Sequence, residues 1–319
     1  MVSTLHELVA PLTEAEFLAH LRDRTVAFIP TSGPHRFRAL LDWDELNHLI
    51  ESAHYPIERL SVLRDSSSLT SFYLKEGRVD PTALSSLLDQ GGTMIFSRLD
   101  QFLPRLWRLC HQIAEQIGEQ VTAEATVTSG SNPLPQRYYN NDLCVLQMAG
   151  SKRWQVCGPP VVNPVKGMTD QPAPQSSPFF DETLHAGDFL FLPAGYWHRC
   201  ENGPGRSLHV SITFEPPYGR DVVNSLANQL AADETFKQPL TRYADASALA
   251  AHEAALKARL INQVQAWSLA GFLSESTAAR SNARLINIEG RARDEKRPTF
   301  QGDDIDLCPR SEEKREQGR

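Results

Sequence analysis

The sequence has few of the residues that staple small or secreted proteins together. Its five cysteines, Cys110, Cys144, Cys157, Cys200 and Cys308, include no Cys-x-x-Cys pair and are odd in number, which argues against a disulfide framework and against a structural zinc site. No apolar run reaches membrane-spanning length, and Met1 to Leu12 lacks a basic stretch followed by an apolar one, so neither a transmembrane helix nor a secretory leader is expected. Excess positive charge is missing too. The 32 Lys and Arg against 39 Asp and Glu leave a formal charge of -7, which argues against a general nucleic-acid surface. What remains is ordinary for a soluble globular chain: 41% hydrophobic and 22% charged residues over 319 positions, enough to bury one large core and carry an appendage. A cytoplasmic protein with reduced, buried thiols is the simplest expectation.

Local signals divide the chain. Thr13 with Glu16 forms a capping box ahead of Phe17, Leu18 and Leu21, and Asp42 with Glu45 repeats it ahead of Leu46, Leu49 and Ile50. Asp80-Pro81 starts a helix that Gly91 should end. Val26 to Ile29 and Ile57 to Leu63 read as strands, and apolar residues at 99, 102, 103, 106, 110, 113, 114 and 117 predict one long amphipathic helix from Leu99 to Ile117. After it the period changes to two. Val121, Ala123, Ala125 and Val127 alternate with polar residues, and Leu143 to Met148 with Trp154 to Cys157 read as a hairpin around Ala149-Gly150, which would put Cys144 opposite Cys157. Residues 158 to 180 read as a long loop, and Phe189 to Leu192 and Ser207 to Glu215 as further strands. Many short strands with Gly and Pro turns give a mainly β fold with flanking helices (α+β), a jelly-roll barrel. Beyond it, Val222, Val223, Leu226 and Leu230, then Leu249, Leu256, Leu260, Val264 and Trp267, mark amphipathic helices. The expected organisation is a barrel with N-terminal helices over 1-218, a helical segment over 219-290 and a flexible charged tail over 291-319.

Two segments carry a family resemblance. Residues 133 to 154, Pro-Leu-Pro-Gln-Arg-Tyr-Tyr-Asn-Asn-Asp-Leu-Cys-Val-Leu-Gln-Met-Ala-Gly-Ser-Lys-Arg-Trp, and residues 187 to 198, Gly-Asp-Phe-Leu-Phe-Leu-Pro-Ala-Gly-Tyr-Trp-His, resemble the JmjC-type cupins of the bacterial ribosomal-oxygenase-like branch of the 2-oxoglutarate and Fe(II)-dependent oxygenases. The resemblance implies a double-stranded β-helix (cupin) fold, Fe(II) and 2-oxoglutarate as cofactors, and dimerisation through the helical segment after the barrel. A helical segment that packs on its own barrel is the alternative. Anchored on Asp142, Leu146, Gln147, Gly150, Lys152 and Trp154, the resemblance puts the family's ligand His at Arg137, its ligand Asp at Tyr139 and its third ligand at His198. It also gives Lys152, fifteen residues after Arg137, the role of gripping the distal carboxylate of 2-oxoglutarate.

The two replacements change the chemistry. Fe(II) in this setting needs two imidazoles and a carboxylate. A guanidinium has no lone pair to donate and stays protonated. Replacing His and Asp by Arg and Tyr makes the local formal charge more positive by two units, and each unit at about 4 Å from a dication opposes binding by roughly 4 kcal/mol at an effective dielectric near 20. A shifted set of Asn140, Asp142 and His198 is an alternative, although strand alternation turns 140 and 142 away from 137 and 139 unless a bulge intervenes. Arg137 and Lys152 would otherwise form a cationic pocket for a carboxylate-bearing small molecule or peptide, with Tyr138 and Tyr139 as hydrogen-bond donors. Thr213 and Ser211 either line that pocket or face solvent, and His209, on the same face, reads as a hydrogen-bonded structural histidine.

Two function classes follow: an active hydroxylase of a peptide, amino acid or metabolite working through an irregular Fe(II) site on His198, or a binding protein that kept the barrel without standard iron chemistry. Catalysis by Tyr139 or His198 as acid or base without metal is a third, with no nucleophile and attached base in the sequence to favour it. Restoring the ligands with Arg137→His and Tyr139→Asp together is expected to create Fe(II) binding, measured as iron content after anaerobic reconstitution. A double variant that takes up no iron would show that the register is wrong.

Overall fold

The computed structural model describes residues 2–31, 33–52, 55–64, 67–75, 77–130, 135–165, 172–240 and 243–281. The expected tail over 291-319 lies outside the described residues, as does the end of the expected helical segment. In chain order the helices are α1 Leu5–Val9, α2 Glu14–Asp23, α3 Trp43–Glu51, α4 Thr70–Tyr73, α5 Pro81–Asp89, α6 Pro104–Ile117, α7 Gly219–Leu230, α8 Glu234–Lys237, α9 Ala246–Ala266 and α10 Leu269–Ser281. The strands are β1 Ala27–Ile29, β2 Leu60–Arg64, β3 Ser67–Ser68, β4 Leu74–Lys75, β5 Arg78–Val79, β6 Thr93–Phe96, β7 Gln120–Ser129, β8 Asp142–Ala149, β9 Ser151–Cys157, β10 Phe180–His185, β11 Phe189–Leu192, β12 Trp197–Asn202 and β13 Arg206–Glu215. The described residues divide into two compact units, one built from the residues up to Ala114 with Val121–Glu215, the other from Glu115–Gln120 with residues 216–281. No helix among the described residues is long and apolar enough to cross a membrane.

The first unit is a two-sheet barrel. Eight strands run in the order β1-β11-β8-β13-β7-β6-β2-β3, and β10-β9-β12 form the opposing sheet. Between them lie Leu143 and Val145 of β8, Leu190 and Leu192 of β11, Trp154 and Val156 of β9, Leu184 of β10 and Cys200 of β12. Side chains alternate along a strand, so the other residues of the large sheet point outward. That outer face is itself apolar and is covered by a helix. Phe17 of α2, fully buried, sets its ring 5.1 Å from Phe191 and 6.2 Å from both Phe189 and Phe214. Both predicted capping boxes form, Thr13 with Glu16 and Asp42 with Glu45, which satisfies the free amides that start α2 and α3.

Two elements depart from the sequence expectations. The helix predicted from Leu99 begins only at Pro104, after a 3-10 turn over Leu99–Gln101; a proline has no amide to donate and fits the first helical turn, not the interior. The predicted hairpin is not a pairing. β8 bonds to β11 and β13 while β9 bonds to β10 and β12, so the chain passes from one sheet to the other at Gly150, whose φ is +67° and where a Cβ would meet the Arg206 carbonyl. Cys144 therefore faces Phe191 and Ile212, and Cys157 faces Trp197, not each other. The strand β10, the strand β12 and the helix α10 were not read from the sequence.

The second unit is helical. Here α9 packs with α7 and α8, Arg259 of α9 pairs with Asp233 at 3.4 Å, and the side chains of Gln263 and Gln229 bond to each other. Val223, Leu260, Ile261 and Val264 of this unit are exposed.

Because Phe17 fills the space against three other aromatic rings, Phe17→Ala is expected to cost about 3–5 kcal/mol of stability in urea unfolding. A loss below about 1 kcal/mol would mean that α2 does not clamp the outer face of the sheet.

Candidate functional site in the barrel

The segment 137–142 runs antiparallel to the turn that leads into β12. The Arg137 amide donates to the His198 carbonyl (3.0 Å), the His198 amide to the Arg137 carbonyl (2.7 Å), and the Gly195 amide to the Tyr139 carbonyl (2.8 Å). Asp142 accepts from the Ala194 amide at 2.6 Å. The isolated bridge between Arg137 and His198 puts those two residues directly opposite each other, and Tyr139, two residues on, returns to the same side.

Three of the singled-out residues thereby meet. Arg137 Nη2 donates to the Tyr139 hydroxyl at 3.0 Å, with the guanidinium carbon 5.5 Å from the Tyr139 ring centre. The Tyr139 ring stacks on His198 at 4.6 Å and 30°, and Trp154 lies 5.7 Å from His198 at the same angle. Lys152 is on the same wall: across β9 and β12, Lys152 pairs with Asn202, Trp154 with Cys200 and Val156 with His198, so these six residues share one face. Lys152 is 1% exposed, and its ammonium sits 3.4 Å from His209 Nδ1. Opposite, His209, Ser211 and Thr213 pair with Gln147, Val145 and Leu143, and Val145 and Leu143 belong to the barrel core. Ser211 and Thr213 therefore stand on the interior wall.

Asp142 goes elsewhere. Its cross-strand partner is Phe214, on the outer face, and its carboxylate accepts from the Ala194 amide and from Arg24 Nη2 at 3.4 Å. Geometry brings Asp142 to a turn amide and an arginine instead of to His198, which corrects the alternative set of Asn140, Asp142 and His198. Asn140 is part-buried in the loop before β8. Tyr138 faces away from Tyr139 and packs edge-on against Trp197 at 4.9 Å.

One contributor was missed in the sequence. Glu124 of β7 accepts from Ser97 Oγ at 3.1 Å and interacts electrostatically with Arg137. The alternation of β7 was legible, but its apolar set, Val121, Ala123, Ala125 and Val127, was the natural choice for the core, and all four are buried. The large sheet is buried on both faces, and its polar set lines the barrel.

Burial governs the charges. Burial, reinforced by Arg137, pushes the His198 imidazole down to about 3, so it is neutral at any physiological pH. His209 is held well below its usual range by burial and then by Lys152 and Arg137. Burial lowers Lys152 to about 8 and raises Glu124 to about 7, while the Tyr139 phenol and the Cys200 thiol are both raised by burial. Arg137 is raised, chiefly by its interaction with Tyr139. Near neutral pH the interior holds two cations against one half-ionised carboxylate. The His198 Nδ1 lies 3.1 Å from the Tyr196 carbonyl, while His198 Nε2 and Trp154 Nε1 are buried without a hydrogen-bond partner among the described residues.

Residues 96–222 match the sequence profile described as the JmjC domain. The barrel has the JmjC cupin fold. The chain is 24% identical over 217 residues to ribosomal oxygenase 2 of Mus musculus, an alignment covering 66% of this chain and 47% of that protein. It is likewise 24% identical over 216 residues to the bifunctional lysine-specific demethylase and histidyl-hydroxylase NO66 of Drosophila mojavensis, covering 66% and 24%. The chain thus spans about half or less of the length of these curated relatives. Among solved structures, the ribosomal oxygenase YcfD of Escherichia coli in complex with cobalt and 2-oxoglutarate superposes with a TM-score of 0.52 at 14% identity, over 85% of this chain and 71% of that one. At that identity the likeness shows the fold alone: a jelly roll with helices.

Lys152 of the barrel supplies a test of its electrostatics. Its folded pKa, about 8, lies below the ordinary 10.5, so between these values the unfolded chain binds more protons and stability must rise with pH, by on the order of 3 kcal/mol in total. Comparing unfolding of the native protein with Lys152→Met from pH 7 to 10.5 should show the variant's advantage shrinking across that window. An unchanging difference would place the ammonium in solvent.

Proposed function

We propose that the barrel of this JmjC chain is an oxygenase-like site that binds a carboxylate ligand without iron. The observation that carries this proposal is a pair of cations on the interior wall, the buried Lys152 and the part-buried Arg137, neither of which has a hydrogen-bonded carboxylate among the described residues. An unpaired buried charge costs several kcal/mol, and an incoming carboxylate relieves it with charge-assisted hydrogen bonds. Lys152 and Arg137 would hold the anion, Tyr139 would orient the guanidinium, and Thr213 and Ser211 would complete the wall.

The donor set does not fit Fe(II). His198 has the neutral tautomer of a metal ligand, with Nδ1 on a carbonyl and Nε2 unpartnered. Opposite it stands a guanidinium, which offers no lone pair, and the Tyr139 hydroxyl already accepts from that guanidinium. Among the described residues no three His, Cys, Asp or Glu side chains group so as to hold a metal ion. A dication would enter against the charge of Arg137. Of the two cofactors that the JmjC fold implies, the dicarboxylate suits these residues and the metal does not.

The same proposal makes the partner a small molecule or peptide carrying a carboxylate and the compartment the cytoplasm, in keeping with four buried free cysteines. It also makes the helical unit, with Leu260, Ile261 and Val264 exposed on α9, a contact between two copies of the chain.

Calorimetry with 2-oxoglutarate in EDTA is the direct test. Binding should persist in chelator, and Arg137→Ala or Lys152→Ala should weaken it at least about tenfold, since truncating one partner of a buried charged hydrogen bond removes 2 kcal/mol or more. Binding that appears only when Fe(II) or Mn(II) is added would overturn the proposal.

A further inference from the structure

One atom of the barrel has no role in binding an anion. His198 is fully buried, and its Nδ1 lies 3.1 Å from the Tyr196 carbonyl. A carbonyl only accepts, so Nδ1 carries the proton and donates, which leaves Nε2 as a bare acceptor. That Nε2 has no hydrogen-bond partner among the described residues. The ring is fixed by more than its hydrogen bond, because Tyr139 and Trp154 lie against it at 4.6 and 5.7 Å, so it cannot swing its lone pair away. Beside it, Trp154 Nε1 is a buried donor without an acceptor.

A carboxylate alone satisfies half of this arrangement. Carboxylate oxygens can accept from donors such as Arg137, Lys152 and the Trp154 indole, but they can give nothing to His198 Nε2. The ligand must bring a donor. An ammonium would add a third cation beside Arg137 and Lys152, in a site already short of negative charge; a hydroxyl donates without adding charge. We infer that the barrel selects a hydroxycarboxylate, whose acid group is held by the two cations and whose hydroxyl donates to His198 Nε2. This inference rests on the metal-free anion site proposed above and names its ligand class.

Three probes share one five-carbon diacid skeleton and differ only at carbon 2: 2-hydroxyglutarate carries a hydroxyl, 2-oxoglutarate a carbonyl and glutamate an ammonium. Titrated into the full chain in EDTA, the hydroxy acid should bind roughly tenfold tighter than either of the others, the worth of one buried hydrogen bond and the desolvated acceptor it satisfies. His198→Phe keeps a stacking ring and deletes the acceptor, and should bring the hydroxy acid down to the affinity of the oxo acid. A hydroxy acid that binds no better than the oxo acid, or a preference that survives in His198→Phe, overturns the hydroxyl contact while leaving the anion site standing. If none of the three binds, the anion site itself is wrong. Should the variant fail to fold, as read by circular dichroism, the ranking of the three probes on the native chain decides alone.

Discussion

The pairing of residues 137–142 with 194–198 is the constraint on which the interior depends. Two backbone hydrogen bonds tie Arg137 to His198, a third ties Gly195 to Tyr139, and the Asp142 carboxylate caps the Ala194 amide. Backbone bonds of this kind form whatever side chains are attached. They deliver whatever occupies position 137 to the edge of the imidazole at 198, and in this chain that is a guanidinium. The apolar surroundings then do the rest: with Trp154, Tyr139 and Val156 around it, the imidazole is neutral, the lysine is depressed and the carboxylate of Glu124 is raised because each charged form loses water that nothing replaces.

The large sheet explains why the site has this character. It is buried on both faces, and the helix layer takes the more apolar one: Phe189, Phe191 and Phe214 meet Phe17. The inward face of β13 and β7 is consequently the polar face of each strand, His209, Ser211 and Thr213 on one, Glu124 on the other. An antiparallel strand with one polar face usually turns it to water. Here the opposing sheet β10-β9-β12 closes over it, and polar groups that would have been solvated become a lined interior.

That arrangement also separates what could be read in the sequence from what could not. The capping boxes were legible because their hydrogen bonds are local, three residues apart. The fold was legible because the recurring residues of the two motifs fix turns: Asp188 accepts from the Thr31 and His185 amides, Gln147 Nε2 bonds to Ser207 Oγ and the Ala149 carbonyl, and Gly195, at φ +86°, has no room for a Cβ beneath the Val161 carbonyl. The juxtaposition of Arg137, Tyr139 and His198 followed from the same register. The change of sheet at Gly150 did not, since a glycine between two apolar strands looks the same whether the strands pair or part. Glu124 was hidden for a related reason: period two says that a strand has two faces, and only the tertiary layers say which face is inside.

A barrel that had merely lost its metal chemistry would be under no physical pressure to keep charge in its centre. Replacing buried ions by apolar groups of similar size is commonly neutral or stabilising, and a methionine in place of Lys152 would fill much the same volume between Trp154 and His209. The chain instead sets two cations, one of them fully buried, a neutral imidazole with a bare lone pair and an indole without an acceptor on the walls of one interior. Each is costly alone, and they are complementary as a set: donors on one side, an acceptor on the other, with an excess of positive charge between. Local violations of packing economy of this kind are where binding energy is stored. A ligand that satisfies all of them at once recovers the desolvation already spent in folding, whereas one that satisfies only the charges leaves the imidazole unpaired, and that difference is what would let an enclosed cationic site tell one carboxylate from another.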